Sequence, residues 1–492
     1  MNIRSDLKIQ YRTILKNIGW LCTVYSFLFL TPLLTLFFYP NETREAVLFL
    51  VSGLITFIFG LCLYSLFRKG TRNNEITFQS GAIIVVSIWV LLIFFSALPF
   101  LFARLLNFPQ AIFETTSGWT TTGMTLLNPA QTPQLFLFWR TIMQYVGGAG
   151  FAVIMLSSIG GGISSGVYRA EGRTDNLLPN IKKTAKSILI IYVTYAAFGI
   201  PALIFTGTNA ADAFHHTLTA LSTGGFSNRL GSVGEINRLS TEIILLALMI
   251  LGATSFGIHF LLWHRSFQTI RKNVEPKLFV FLIAFFTILI VLAVTGAVYP
   301  NLSSSFRHSL FQVVSAISTT GFQTVDLNLW PDSALFLLIL LMIFGGMLDS
   351  TAGGVKLIRV YILVKAVLIE IAHFYLPIGT VRKYTFWKGN TRILLDDRVI
   401  KNTAVFFTLF FVNMAVGIAI FLFEGYDFKT ACFELISALT NVGMSLGATN
   451  AHSSSLILWN QTIAMFLGRL EFVVIVAAIS KVVRDGFQVV KA

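Results

Sequence analysis

Hydrophobic residues in this chain come in long, nearly unbroken runs separated by short polar and basic loops. Neither the strict alternation of a half-buried strand nor the one-sided stripe of a soluble helix describes them. A helix of about 20 apolar residues crosses a hydrocarbon core roughly 30 Å thick. Runs of that length lie near residues 17–40, 46–67, 81–103, 134–157, 187–206, 243–264, 278–299, 403–423 and 456–480. A tenth, 334–372, is long enough to span but is interrupted by FGGMLDSTAGGVK. The pattern predicts an all-α integral membrane protein with ten crossings, one of them broken, and with both termini on one side.

Composition agrees. Of 492 residues, 55% are hydrophobic and only 12% charged, against about 25% charged in an ordinary soluble domain. The net charge of +14 would suggest nucleic acid as a partner if it formed a patch. Here the charges sit between spans, so membrane lipid is the expected surroundings and nucleic acid is not. With the N-terminus inside, the inner loops hold 28 Lys and Arg and the outer loops 7, with Arg469 left inside a helix. That asymmetry is a positive-inside signal, and it predicts cytoplasmic termini. The polar segment MNIRSDLKIQYRTILK is followed by no A-x-A-like cleavage site and is expected to be an uncleaved cytoplasmic segment. Cys22, Cys62 and Cys432 lie far apart inside apolar stretches; they are expected to be buried packing thiols, with neither a disulfide nor a zinc site.

Between crossings on the outer side lie apolar stretches too short to span. Aligned without gaps, AIFETTSGWTTTGMT (111–125), AFHHTLTALSTGGFS (213–227), SLFQVVSAISTTGFQ (309–323) and ACFELISALTNVGMS (431–445) superimpose Gly123, Gly225, Gly321 and Gly443. Ser117, Thr219, Ser315 and Ser437 stand six residues earlier in each. Each unit reads as helix, short re-entrant helix, turn, helix, all four in one orientation, which permits rotation about the membrane normal. The expected division is an N-terminal segment with two extra helices (1–80), then units over 81–160, 161–272, 273–400 and 401–492.

Four such turns around one axis suit a dehydrated cation. Stripping its water costs tens of kcal/mol in a low-dielectric medium, and rings of backbone carbonyls replace that water in potassium filters. Glycine permits the backbone to aim its carbonyls inward, and short helices would point their partly negative ends at the centre. The candidate filter residues are Thr121, Thr122 and Gly123; Thr223, Gly224 and Gly225; Thr319, Thr320 and Gly321; and Asn441, Val442 and Gly443. One such turn alone would mean only helix packing; four in register mean more. Nine residues before the glycines stand Glu114, His216, Gln312 and Glu434, expected near the start of each short helix.

The interruption at 345–356 is the candidate gate. Gly345, Gly346, Gly353 and Gly354 flank Asp349, Ser350 and Thr351, and Lys356 closes the run. Irregular backbone at membrane depth must be buried in protein or line water, as a flexible polar plug would. Arg469 is expected to face the pore and bond carbonyls of this loop, or Asp349; Glu471, two residues on, faces elsewhere. HExxH, a GxSxG segment beside a His partner and GxxxxGK[ST] are all absent, so no enzyme, resident cofactor or nucleotide site is expected. His215, His216, His259 and His264 show no metal spacing. An inverted-repeat carrier for an organic solute is the competing class, but its halves are antiparallel and its helices broken in pairs.

With TTTGMT, STGGFS, STTGFQ and TNVGMS as filter segments, GGMLDSTAGGVKLIR (345–359) as intramembrane loop and GRLEF (468–472) in the last helix, the chain resembles the bacterial potassium-uptake superfamily of TrkH, TrkG and KtrB. The match runs from about Gly81 to Lys481, and the extra N-terminal helices and GRLEF look more like TrkH than KtrB. The resemblance implies four M1–P–M2 repeats with pseudo-fourfold symmetry, potassium as transported ligand and a bacterial inner-membrane location. It also implies a homodimer with one pore per protomer, and a cytoplasmic ring of TrkA-like nucleotide-binding regulatory subunits. By the same resemblance the loop in the third M2 helix is the gate and Arg469 sits under the filter. One departure is Asp349, where the family usually has a small residue. Mixed potassium/sodium permeation and sodium-coupled symport stay open as alternatives.

Overall fold

The computed structural model describes residues 3–69, 76–150, 167, 170, 181–375, 384–389 and 391–491. The chain is helical almost throughout, as its apolar runs predict. It opens with a hairpin: helix Ile3–Ser26, continued by the 3-10 segment Phe27–Phe37, packs against Thr43–Phe67. Glycines let these two approach closely; a methyl at Gly60 would stand 2.6 Å from the Thr23 nitrogen. The hairpin is tied to the rest of the chain at two levels. Ser96 receives the Trp119 indole N–H at 2.7 Å and lies 2.6 Å from the Tyr25 hydroxyl. Further along, the Glu42 carboxylate caps the helix beginning at Gln134, accepting from the backbone of Gln134 and Leu135 at 2.8 and 3.0 Å.

Four copies of one motif follow. The long first helices are Phe78–Phe102, Ile181–Phe205, Val274–Val294 and Asp397–Phe423. The short helices are Phe108–Trp119, Ala210–Leu221, Leu302–Ile317 and Phe428–Leu439. The second helices begin with Gln134–Ala149, Leu239–Ala253, Asp332–Ile343 and Ser455–Leu470. Asparagine or aspartate side chains cap three of the short helices, at Asn107, Asn209 and Asp427.

All four second helices stop early. They run for 16, 15, 12 and 16 residues, roughly 18–24 Å at about 1.5 Å per residue and short of a roughly 30 Å core. The first ends at Gly150 with φ 85°. The second turns through 107° into Phe256–Trp263, and the fourth through 96° at Glu471 into the last helix, Phe472–Lys491. The third gives way to the loop before Leu357–His373. The expectation of a single broken helix is therefore corrected. Apolar residues continue across the bends, so hydropathy does not register them; the breaks fall where glycines meet the short helices. A methyl at Gly147, Gly252 or Gly468 would lie 2.2, 2.6 or 2.0 Å from the carbonyl oxygen of Trp119, Leu221 or Leu439.

Among the described residues six helices are long and apolar enough to cross a membrane, and the two bent pairs bring the number to eight. The other two expected crossings are Gln134–Ala149, whose continuation to 157 lies outside the described residues, and the interrupted 334–372. Most of the basic loop 158–186 also lies outside them. Two further differences stand out. Thr385–Lys388 and Thr391–Leu394 pair as an antiparallel hairpin within what reads as a plain basic loop. Cys62 is exposed on its helix, while Cys22 is buried and Cys432 intermediate; Cys62 lies on the side of Thr43–Phe67 turned away from its neighbours, an apolar surface suited to lipid.

Candidate functional site

Each short helix ends in the same way. The backbone N–H of the residue before the shared glycine reaches back five residues: Thr122 to the Ser117 carbonyl at 2.9 Å, Gly224 to Thr219 at 2.8 Å, Thr320 to Ser315 and Val442 to Ser437 at 2.9 Å. That wrap-around bond closes a Schellman cap, which requires a left-handed residue just past the helix. Thr121, Thr223, Thr319 and Asn441 occupy that position with φ of 52–56°. Asparagine tolerates it; β-branched threonine does not, and such strain costs about 1–3 kcal/mol per residue. The glycine two residues on is again left-handed, at 94°, 73°, 83° and 84°. Left-handed, ordinary, left-handed backbone is an arrangement that brings successive carbonyls toward one side.

The four turns form a closed cycle. A methyl on Gly123 would lie 2.2 Å from the Gly224 carbonyl oxygen, one on Gly225 1.9 Å from that of Thr320, one on Gly321 1.9 Å from that of Val442, and one on Gly443 1.8 Å from that of Thr122. Each turn thus presents the carbonyl before its glycine to the glycine of the preceding turn, and the fourth meets the first. Thr121, Thr122, Thr223, Thr319, Thr320 and Asn441 are fully buried. On one side of the ring a cavity of about 440 Å³ opens, lined by all four glycines with Ser227, Gln323 and Ser445. At its rim Arg229 bonds Asp212 at 2.8 Å, which lifts the guanidinium above its ordinary pKa.

Across the other side lies the 345–356 loop. The Thr319 hydroxyl accepts the Gly353 N–H at 2.8 Å, and the Thr223 hydroxyl meets that of Thr351 at 3.2 Å. Thr351 also donates its hydroxyl to the Leu221 and Gly252 carbonyls at 3.0 and 2.8 Å. Gly353 sits against the Thr440 carbonyl, and Gly346 against Ala253 and Ala352. Gly345 and Gly354 pack on each other, and the Lys356 ammonium bonds the Ala352 carbonyl. Arg469 reaches this loop from the fourth unit: it donates to the Thr351 carbonyl at 2.7 Å, and to those of Gly147 and Gly148 at 2.6 and 3.1 Å. The last two lie at a helix C-terminus, where a cation is favoured. A small cavity of about 50 Å³ beyond the loop is lined by Asp349, Ser350, Lys356 and Arg469 among others.

The model of the TrkH family, described as cation transport proteins, matches residues 46–488. This chain belongs to the TrkH family. Among its relatives, an uncharacterised cation transporter of Methanocaldococcus jannaschii is 30% identical over 478 residues, covering 96% of each chain. The Trk system potassium uptake protein TrkH of Halomonas elongata is 30% identical over 490 residues, covering 95% of this chain and 98% of its own. The crystal structure of the potassium transporter TrkH from Vibrio parahaemolyticus superimposes with a TM-score of 0.83 at 26% identity, over 95% of this chain and 98% of that one. The family's members carry the names of transporters, not of enzymes.

In this TrkH-family chain the four turns and the 345–356 loop come together around the ring, and Arg469 donates to one loop carbonyl, that of Thr351, and to two carbonyls of the first unit's second helix. Asp349 is engaged elsewhere, 3.5 Å from the Lys388 ammonium, and Glu471 pairs with Arg359 at 2.6 Å. The expectation for Glu114, His216, Gln312 and Glu434 is corrected: they stand midway along the short helices and clasp the strand leaving the ring. Glu434 accepts from the Ser445 and Thr449 hydroxyls at 2.6 and 2.7 Å and from the Leu446 N–H at 2.9 Å. Glu114 holds the Thr125 hydroxyl and Leu126 N–H at 2.8 and 2.9 Å, with Arg140 3.0 Å away. His216 bonds Ser227 at 3.0 Å, and Gln312 bonds Thr324 at 3.3 Å. A polar residue nine before each glycine and a hydroxyl two or three after it is a pattern the sequence already contains, the third hydroxyl, Thr324, falling just past the aligned segment. Among the described residues no His, Cys, Asp or Glu cluster could hold a metal ion.

Proposed function

We propose that this protein takes up potassium across the membrane through a single pore per chain, with the closed ring of four turns as its filter and the 345–356 loop as its gate. The observation that carries the reading is the cycle of glycine against carbonyl. It surrounds one axis with four short-helix ends and buried backbone oxygens, and it opens on a vestibule of about 440 Å³. Carbonyls so fixed replace the hydration shell of a monovalent cation without the cost of reorganising. Strained threonines at the ring support the same reading, because unfavourable backbone persists where surrounding structure over-determines it. The loop, fastened across the opposite face by Thr319, Thr351 and Arg469, closes the path in this conformation.

The names of relatives that act in potassium uptake favour potassium as the ion. With them we infer an inner-membrane location, both termini cytoplasmic as the charge asymmetry predicts, a homodimer, and regulation by a TrkA-like nucleotide-binding ring. Poor discrimination between potassium and sodium, or coupling of the two, is the second reading. It is favoured by the unequal residues before the shared glycine, which are Thr122, Gly224, Thr320 and Val442. Purified protein in proteoliposomes should accumulate rubidium in competition with potassium, and its reversal potential in planar bilayers should follow the potassium gradient alone. Reversal set jointly by both ions supports the second reading; flux of a sugar or amino acid without rubidium overturns both.

A further inference from the structure

Asp349 adds a carboxylate to the loop, and that carboxylate faces Lys388. The Asp349 backbone is left-handed, with φ 59°, which accounts for a short polar residue and would be met equally by asparagine. It does not account for a charge. The side chain is 4% exposed, and Lys388, 12% exposed, stands 3.5 Å from it.

Lys388 is held in place from outside the pore. It ends the first strand of the hairpin, and the following Gly389 makes two bonds to the Asn273 side chain, accepting at 3.1 Å and donating at 2.6 Å. Phe386 buries itself among Ile358 and Ile362 of the helix that leaves the loop. Lys272 lies 5.2 Å over the Trp387 ring. Two residues past Asn273, Glu275 takes the Leu348 N–H at 2.8 Å. The hairpin is thus fixed to the start of helix Val274–Val294 and to helix Leu357–His373, and it reaches the loop through the Lys388 ammonium at Asp349 and through the apolar cluster that takes in Leu348.

We propose that the Lys388–Asp349 ion pair is a latch by which the hairpin holds the loop across the ring. The proposal rests on the gate reading above. Moving the loop aside separates the pair and gives up the attraction between two largely buried opposite charges 3.5 Å apart, so the pair favours the closed arrangement. The hairpin's second strand, with exposed Thr391 and Arg392, becomes the handle: whatever lifts it draws Lys388 away and frees the loop.

The test is basal rubidium flux in proteoliposomes with no other protein present, on variants that elute as the parent does. Asp349→Asn keeps the turn and removes the charge; Lys388→Gln acts outside the pore. Each should raise basal flux roughly tenfold, equivalent to about 1.4 kcal/mol, and the exchange D349K/K388D should return it toward the parent. Parent-like flux in Lys388→Gln, or an exchange no tighter than the single variants, overturns the latch. Arg469→Ala is run beside them: if it opens the pore while Lys388→Gln does not, only the latch fails. If Arg469→Ala also stays closed, the gate reading fails and the latch with it.

Discussion

Asn441 donates its amide to the Thr122 hydroxyl at 2.9 Å and to the Met465 carbonyl at 2.9 Å, stitching the last turn of the chain to the first. Thr122 in turn meets the Thr120 hydroxyl at 2.8 Å. The left-handed position needs a short residue, and of the four that occupy it only asparagine both relaxes there and spans the seam. Replacing Asn441 by Ala leaves the Thr122 hydroxyl and a buried carbonyl short of a donor, a loss of about 1–3 kcal/mol. Thermal unfolding in detergent should fall accordingly, and rubidium-over-sodium preference should drop.

Gly443→Ala should abolish flux without unfolding the protein. The added methyl falls 1.8 Å from the Thr122 carbonyl oxygen, and the backbone at φ 84° is one that L-residues rarely adopt. Both conflicts are confined to the ring, so elution and helix content should match the parent while rubidium uptake is lost.

For Arg469 the expected outcome is a leak. Its guanidinium spans carbonyls on the loop and on the first unit's second helix, and hydrogen bonds to a charged group contribute about 1.5–3 kcal/mol. Arg469→Ala should raise basal flux by about ten- to a hundredfold. Arg469→Lys should recover only part, because a single ammonium lacks the fork that reaches Thr351 and Gly147 together. Basal rubidium efflux measures both.

Glu434→Ala should destabilise the vestibule wall by about 2–4 kcal/mol, since it removes the acceptor of two hydroxyls and two backbone N–H groups. Glu434→Gln keeps an acceptor oxygen and should recover part of that loss. Unfolding temperature and uptake together separate the two, because an ion-binding role for the carboxylate would let Gln fold normally and still fail in transport.

What the sequence contained in plain view was periodic: the apolar runs, the four glycines, the interrupted third unit and the charge left in the last helix. Ser117 and its counterparts signal the wrap-around cap because their spacing is set by the backbone alone. The bends at Thr254 and Glu471 were hidden, since a kink inside apolar surroundings leaves hydropathy unchanged. The hairpin at 385–394 was hidden for a different reason. Its short strands are held by Asn273 and by helix Leu357–His373, contacts more than a hundred or some twenty residues away, so no local pattern announces it.

Oligomers of identical subunits must repeat every substitution around their axis. Covalent fusion of the quadrants lifts that constraint. The last quadrant here holds an amide where the others hold hydroxyls and also reaches across with a guanidinium, while the third carries the plug. Division of labour among near-copies is what lets a single mutation adjust one wall of a conduit at a quarter of the dose.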